Sequence, residues 1–161
     1  MRNKKLLFMV QAAMIAAIYV VITVIFAPIS FGEIQVRIAE ALTILPYFTP
    51  AAIPGLAIGC LIGNIFGGGI LPDIIFGTLA TLTGAGITYL LRNKNKYLAP
   101  VGPILANTIV VPLILHYAYG INLPLPVLML SVGIGEVISC GVLGMVVLSA
   151  LQKHQHKLFK K

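Results

Sequence analysis

Four carboxylates, Glu33, Glu40, Asp73 and Glu136, stand in a chain of 161 residues that is 59% hydrophobic and only 9% charged. Mean hydropathy is +1.03. A soluble domain carries about 25% charged residues, so water is not the main solvent here. A charge at a bilayer centre costs roughly 2.5–3.5 kcal/mol on insertion scales. Carboxylates kept against that cost are candidates for ligand binding or for internal pairing. Glu33 and Gln35 fall in a loop, PISFGEIQ. Arg37 precedes Glu40 by three positions, so the two share a helix face and can pair. Asp73 opens a helix, where a carboxylate complements the backbone dipole. Asn107 lies near mid-span of a later apolar run, with His116, Tyr117 and Tyr119 near its end. Glu136 follows Pro124 by 12 residues, about 18 Å along a helix and near the middle of a membrane. A cavity open to the outside and lined by Glu40, Asn107 and Glu136 accounts for this placement. The alternative is an internal Arg37–Glu40 pair with Glu136 buried and protonated.

Catalytic constellations are missing from the sequence. There is no paired-aspartate motif and no Gly-rich phosphate loop. His154 and His156 make an H-x-H in a basic tail, too few ligands for a metal. Cys60 and Cys140 fall inside apolar runs and read as small packed side chains, not as a disulfide or metal site. No enzyme activity, cofactor or metal is expected, and energy for any transport must come from an ion gradient or from other subunits.

The elements that position these residues are helices. Successive apolar runs near 20 residues long fit crossings of a hydrocarbon core about 30 Å thick, and they lack the alternation of a membrane barrel. The chain reads as a single all-α membrane domain over 1–161, with six transmembrane helices at about 6–27, 36–48, 50–66, 72–91, 98–119 and 124–151. The first run is longer than a signal-peptide core of about 7–15 residues and is expected to remain as a helix. The second is short, and Pro112 is expected to bend the fifth. The net charge is +7, and all of the 11 Lys and Arg except Arg37 gather in three clusters: Arg2, Lys4 and Lys5; Arg92, Lys94 and Lys96; Lys153, Lys157, Lys160 and Lys161. That is the positive-inside pattern with both termini cytoplasmic, not a nucleic-acid surface. Small residues at spacings of four suit close helix contacts. Gly55, Gly59 and Gly63, and Ser131, Gly135 and Ser139, read as internal packing. Ala12, Ala13, Ala16 and Ala17 form a flat patch that suits either internal packing or a partner helix.

The stretch FGEIQVRIAEALTILPYFTPAAIPGLAIGCLIGNIFGGG, residues 31–69, continued by LPDIIFGTLATL, resembles the QueT family of queuosine-precursor transporters. These are substrate-binding S components of energy-coupling factor (ECF) transporters in bacterial plasma membranes. The resemblance implies a six-helix S-component bundle in which the loop after the first helix covers an outward-facing pocket. It implies a transmembrane coupling subunit and two cytoplasmic ATPase subunits as partners, with Ala12, Ala13, Ala16 and Ala17 as the docking motif; Val20 and Val21 stand where a further alanine turn would fall. The implied ligand is a 7-deazaguanine such as prequeuosine or queuine. Its edge presents adjacent N–H and NH₂ donors, which one carboxylate can accept together. Glu40 or Glu136 can do this; Asn107, Gln35 or Arg37 can donate to the ring carbonyl; an aminomethyl cation suits a second carboxylate; Phe31 or Tyr117 can stack on the ring. A stand-alone transporter driven by titration of Glu136, or an S component for another vitamin, are the alternatives.

Overall fold

A computed structural model describes residues 3–30 and 36–154. Helix α1, Lys4–Ile25, starts where the Asn3 side chain accepts from Lys5 N at 3.2 Å, which satisfies one of the donors a helix start leaves open. A single turn, α2 (Ala27–Ser30), follows. The expected loop PISFGEIQ therefore begins as helix over residues 28–30, while its remainder, with Phe31, Glu33 and Gln35, lies outside the described residues, as does His156.

The second expected helix is a 3₁₀ helix, Ile38–Tyr47, in place of an α-helix over 36–48. Two local features explain the tighter winding. Pro46 has no N–H to return to an upstream carbonyl. The Glu40 carbonyl is taken from outside the ladder, by the Thr43 hydroxyl at 2.6 Å and the Cys140 thiol at 3.4 Å. Helix α3, Ala52–Phe66, then runs to Gly67, and Gly68 turns the chain at φ 88°, a left-handed conformation open to glycine.

A π-helical turn, Asp73–Gly77, leads into α4, Thr78–Leu91. After a short 3₁₀ turn at Lys96–Leu98, α5 covers Val101–Tyr117 without interruption at Pro112. The last expected helix is one rod in three parts: α6 (Leu125–Glu136), a π-helical segment (Val137–Leu143) and α7 (Gly144–Gln152). Among the described residues there is no strand. Among the described residues four rods are long and apolar enough to cross a membrane: Lys4–Ile25, Asp73–Leu91, Lys96–Tyr117 and Leu125–Gln152. The 3₁₀ helix and α3 are shorter.

Helices α1 and α3 meet along glycine. A Cβ on Gly55 would sit 2.7 Å from the Ala12 carbonyl oxygen, and one on Gly59 would sit 2.8 Å from Tyr19 Cβ and 3.1 Å from Ala16 Cα. Ala12 and Ala16 are therefore buried in an internal contact, while Ala13 and Ala17 on the neighbouring face are exposed. The four-alanine patch divides, and only its outer pair is open to a partner. The core between α1, α3, the 3₁₀ helix and α7 holds Ile15, Tyr19, Ile44, Leu56, Cys60 and Leu148. Outside it, Leu90, Leu130 and Phe66 stand mostly exposed, as side chains facing lipid do.

Candidate functional site

The polar residues gather at two levels inside the bundle. At the deeper level Glu40, on the 3₁₀ helix, is fully buried. Its Oε1 accepts from the Tyr19 phenol of α1 in a short hydrogen bond and from the Thr81 hydroxyl of α4 at 3.4 Å. Its Oε2 accepts from the Asn107 amide of α5 at 3.3 Å. Glu136, at the junction of α6 and the π segment, stands beside it and accepts from the Cys140 thiol at 3.1 Å. Ligand atoms of Glu40, Glu136 and Cys140 all lie within 4.8 Å of one another. Six elements thus supply one cluster, α1, the 3₁₀ helix, α4, α5, α6 and the π segment, and each polar side chain sits on the inward face of its own helix.

The backbone departs from α geometry where this cluster is built. Thr43, on the 3₁₀ helix, bonds the Glu40 carbonyl, and the Cys140 thiol, on the π segment, has both that carbonyl at 3.4 Å and Glu136 Oε2 at 3.1 Å within reach of its one proton, which holds Glu40 against the last rod. A π turn inserts an extra residue into a helix and re-aims the side chains around it. Here it brings Cys140 beneath Glu136 while Ser139 stays fully buried.

The upper level is an ion pair. Arg37 Nη2 lies 3.2 Å from Asp73 Oδ2 with both side chains buried. Tyr119 donates to the same oxygen at 3.3 Å, and Asn64 Nδ2 donates to the Asp73 carbonyl at 3.2 Å. Two expectations are corrected here. Among the described residues the ion pair of Arg37 is with Asp73, not with Glu40, because Arg37 is the extended residue before the 3₁₀ helix and does not share its face. Asp73 does not cap a helix start: Leu71 and Pro72 already lie in the helix before it, and its carboxylate turns sideways to Arg37.

Glu40, Asn107 and Glu136 therefore come together, but as a packed cluster, each at most 4% exposed, and not as the lining of an open cavity. Arg37 stands above them. Tyr117 points away: it is 76% exposed and borders an apolar hollow with Pro72, Phe76 and Leu113. It is not positioned to stack on anything bound at Glu40. Tyr19, Thr81, Cys60 and Cys140 were not singled out as site residues. The available signal was weak: one tyrosine hydroxyl on the inner face of α1 and a threonine on that of α4. Both cysteines are unpaired and buried, as expected of small packed side chains, but they also take part in the polar network.

Chemically the cluster is a set of acceptors with a shell of fixed donors. A buried carboxylate keeps such a shell because an unpartnered charge there is costly. Among the described residues three buried carboxylates, Glu40, Asp73 and Glu136, share the interior with one buried cation, Arg37. The arrangement has room in its charge balance for a cationic ligand or for protons. The model of the QueT transporter family matches residues 9–153. A queuosine precursor transporter QueT from Lactococcus lactis subsp. cremoris (strain MG1363) is 35% identical over 98 residues, which cover 60% of this chain and 57% of that protein. No solved structure matches.

Proposed function

The chain belongs to the QueT transporter family, and on that premise we propose that it is the substrate-binding membrane subunit of an ECF-type importer that takes up a queuosine precursor, a 7-deazaguanine such as prequeuosine or queuine. The observation that carries the reading is the Glu40 carboxylate, buried among three donors beside a second carboxylate, Glu136. A guanine-like edge offers two adjacent N–H donors, a match for both oxygens of Glu40. An aminomethyl ammonium on the five-membered ring supplies the cation that Glu136 lacks. Asn107 bonds Glu40 now and can turn its amide to the ring carbonyl. Gln35, Glu33 and Phe31 are proposed to approach from the loop after α1.

In this reading six helical segments form the membrane bundle with both ends on the cytoplasmic side, as the three basic clusters require. The cluster is closed, so ligand enters only when the 3₁₀ helix and its neighbours part. ATP hydrolysis comes from two ATPase subunits through a coupling subunit, and the docking face is the outward pair Ala13 and Ala17. Small residues let a partner backbone approach closely.

The test is calorimetry on the purified protein with 7-aminomethyl-7-deazaguanine, paired with uptake by the assembled transporter. Tight binding by the purified subunit and ATP-dependent uptake by the complex are expected. Ala17→Trp is expected to abolish uptake while leaving ligand affinity within about twofold, since a bulky ring on an exposed face blocks docking without entering the core. Uptake by the purified chain alone, driven by a pH gradient in liposomes, would overturn the ECF assignment.

A further inference from the structure

The donors around Glu40 are unevenly shared between its two oxygens. Oε1 already receives both hydroxyls, Tyr19 and Thr81, whereas Oε2 receives the Asn107 amide. A carboxylate offers about four lone-pair positions, two on each oxygen. With both hydroxyl protons turned to it Oε1 is filled, while Oε2 is half filled. An edge with two adjacent donors needs a place on each oxygen, so one hydroxyl must leave Oε1.

The two hydroxyls are not equally free to go. Thr81 stands at the long end of hydrogen-bond range, 3.4 Å from Oε1. Thr81 has a second acceptor within reach, Cys60 Sγ at 3.3 Å. Its single hydroxyl proton can point at only one of the two. Thr81 and Cys60 are both essentially inaccessible, so no bulk water stands ready to receive a displaced hydroxyl. Without the sulfur, the turned-away group would be left buried and unpaired, which is the expensive outcome for a polar atom.

We propose that Cys60 is a positioning residue for ligand recognition: its sulfur accepts the Thr81 hydroxyl when a two-donor ligand edge takes Oε1 of Glu40. The cysteine touches no ligand itself. It makes the exchange of an internal donor for an external one nearly neutral, and so sets how much of the ligand's bonding appears as affinity. This rests on the function proposed above and names how the same site is opened.

The experiment is calorimetry with 7-aminomethyl-7-deazaguanine on wild type and three variants. Cys60→Ala is expected to bind about tenfold more weakly, the scale of one orphaned buried hydroxyl. Adding Thr81→Val to Cys60→Ala removes the hydroxyl that needs an acceptor, and is expected to return affinity to within about twofold of wild type. Thr81→Val alone is expected to match wild type or bind more tightly. A cysteine that acts only through packing predicts the opposite for the pair, with losses that add. Wild-type affinity in Cys60→Ala, additive loss in the double variant, or weaker binding by Thr81→Val would each overturn the proposal. A wild-type protein that binds no 7-deazaguanine removes the functional reading itself, and this inference with it.

Discussion

Glu40→Gln is expected to weaken binding of a 7-deazaguanine at least about a hundredfold while leaving the protein folded. The substitution keeps the size of the side chain and changes what it can accept. The carboxylate offers acceptor positions on both oxygens, three of them filled by Tyr19, Thr81 and Asn107. The amide keeps one oxygen and brings an NH₂ that must face a donor: toward Asn107 it meets another amide NH₂, toward Tyr19 it meets a hydroxyl. The ligand edge then loses one of its two acceptors, and the remaining bond loses its charge. Hydrogen bonds to charged groups contribute about 1.5–3 kcal/mol each, and tenfold in affinity is about 1.4 kcal/mol. Losing one bond and weakening the other exceeds two decades. Glu40→Ala is the poorer test, because it orphans three buried donors at once and destabilises the fold. Calorimetry beside a thermal-unfolding measurement separates the two effects. Near-wild-type affinity in a folded Glu40→Gln protein would place ligand recognition elsewhere.

Glu136→Gln should behave differently. Glu136 meets the thiol of Cys140 and stands next to Glu40, so in the proposed pose it serves the ligand's cationic arm and not its ring edge. Its substitution is expected to abolish the preference for a 7-aminomethyl over a 7-cyano ring, with the cyano compound bound about equally by wild type and variant. Together the two variants assign each carboxylate to one end of the ligand.

Much of this was legible from residue types alone, and what was not has physical causes. The helical class and the positions of the rods followed from run lengths and from the basic clusters, because a membrane forces every backbone group to be paired within its own segment. Glu40, Asn107 and Glu136 were picked out because each is expensive in a hydrocarbon interior. Partners were harder. Arg37 and Glu40 have helical spacing, but the helix begins only after Arg37, so the cation turns to Asp73, 36 residues away in sequence. Spacing rules hold only inside an element, and an element boundary shifted by one residue re-aims the side chain. Tyr19, Thr81 and Cys60 were silent for another reason. Hydroxyls and thiols are common in membrane helices, and only tertiary packing shows that Tyr19 and Thr81 point at one carboxylate with Cys60 behind Thr81. The π turns at Asp73–Gly77 and Val137–Leu143 leave no periodicity signal, since each adds a single residue to an otherwise apolar run.

The division of the alanine patch leads to the largest expected structural effect. Gly59→Leu is expected to destabilise the bundle by at least about 3 kcal/mol and to abolish ligand binding. A Cβ there would lie 2.8 Å from Tyr19 Cβ and 3.1 Å from both Cα and the carbonyl oxygen of Ala16. The last two contacts are backbone, which cannot rotate away. Overpacking a well-filled interior costs typically 1–3 kcal/mol, and a branched side chain against backbone falls at or beyond the top of that range. Within lipid no hydrophobic drive returns a displaced helix to its partner, so association rests on close packing. Tyr19 belongs to the displaced helix, and its phenol is a donor to Glu40; pushing α1 outward therefore opens the carboxylate shell in the same step. Gly86→Ala supplies the contrast. That glycine also lies within a helix, α4, but a Cβ meets nothing within 4 Å, and alanine is the better helix former by about 1 kcal/mol. Gly86→Ala is expected to unfold at or above the wild-type temperature and to bind normally. Equal losses from both substitutions would mean that glycine serves flexibility throughout these helices; a loss confined to Gly59 would tie it to the seam between α1 and α3, and so to the placement of Tyr19 over Glu40.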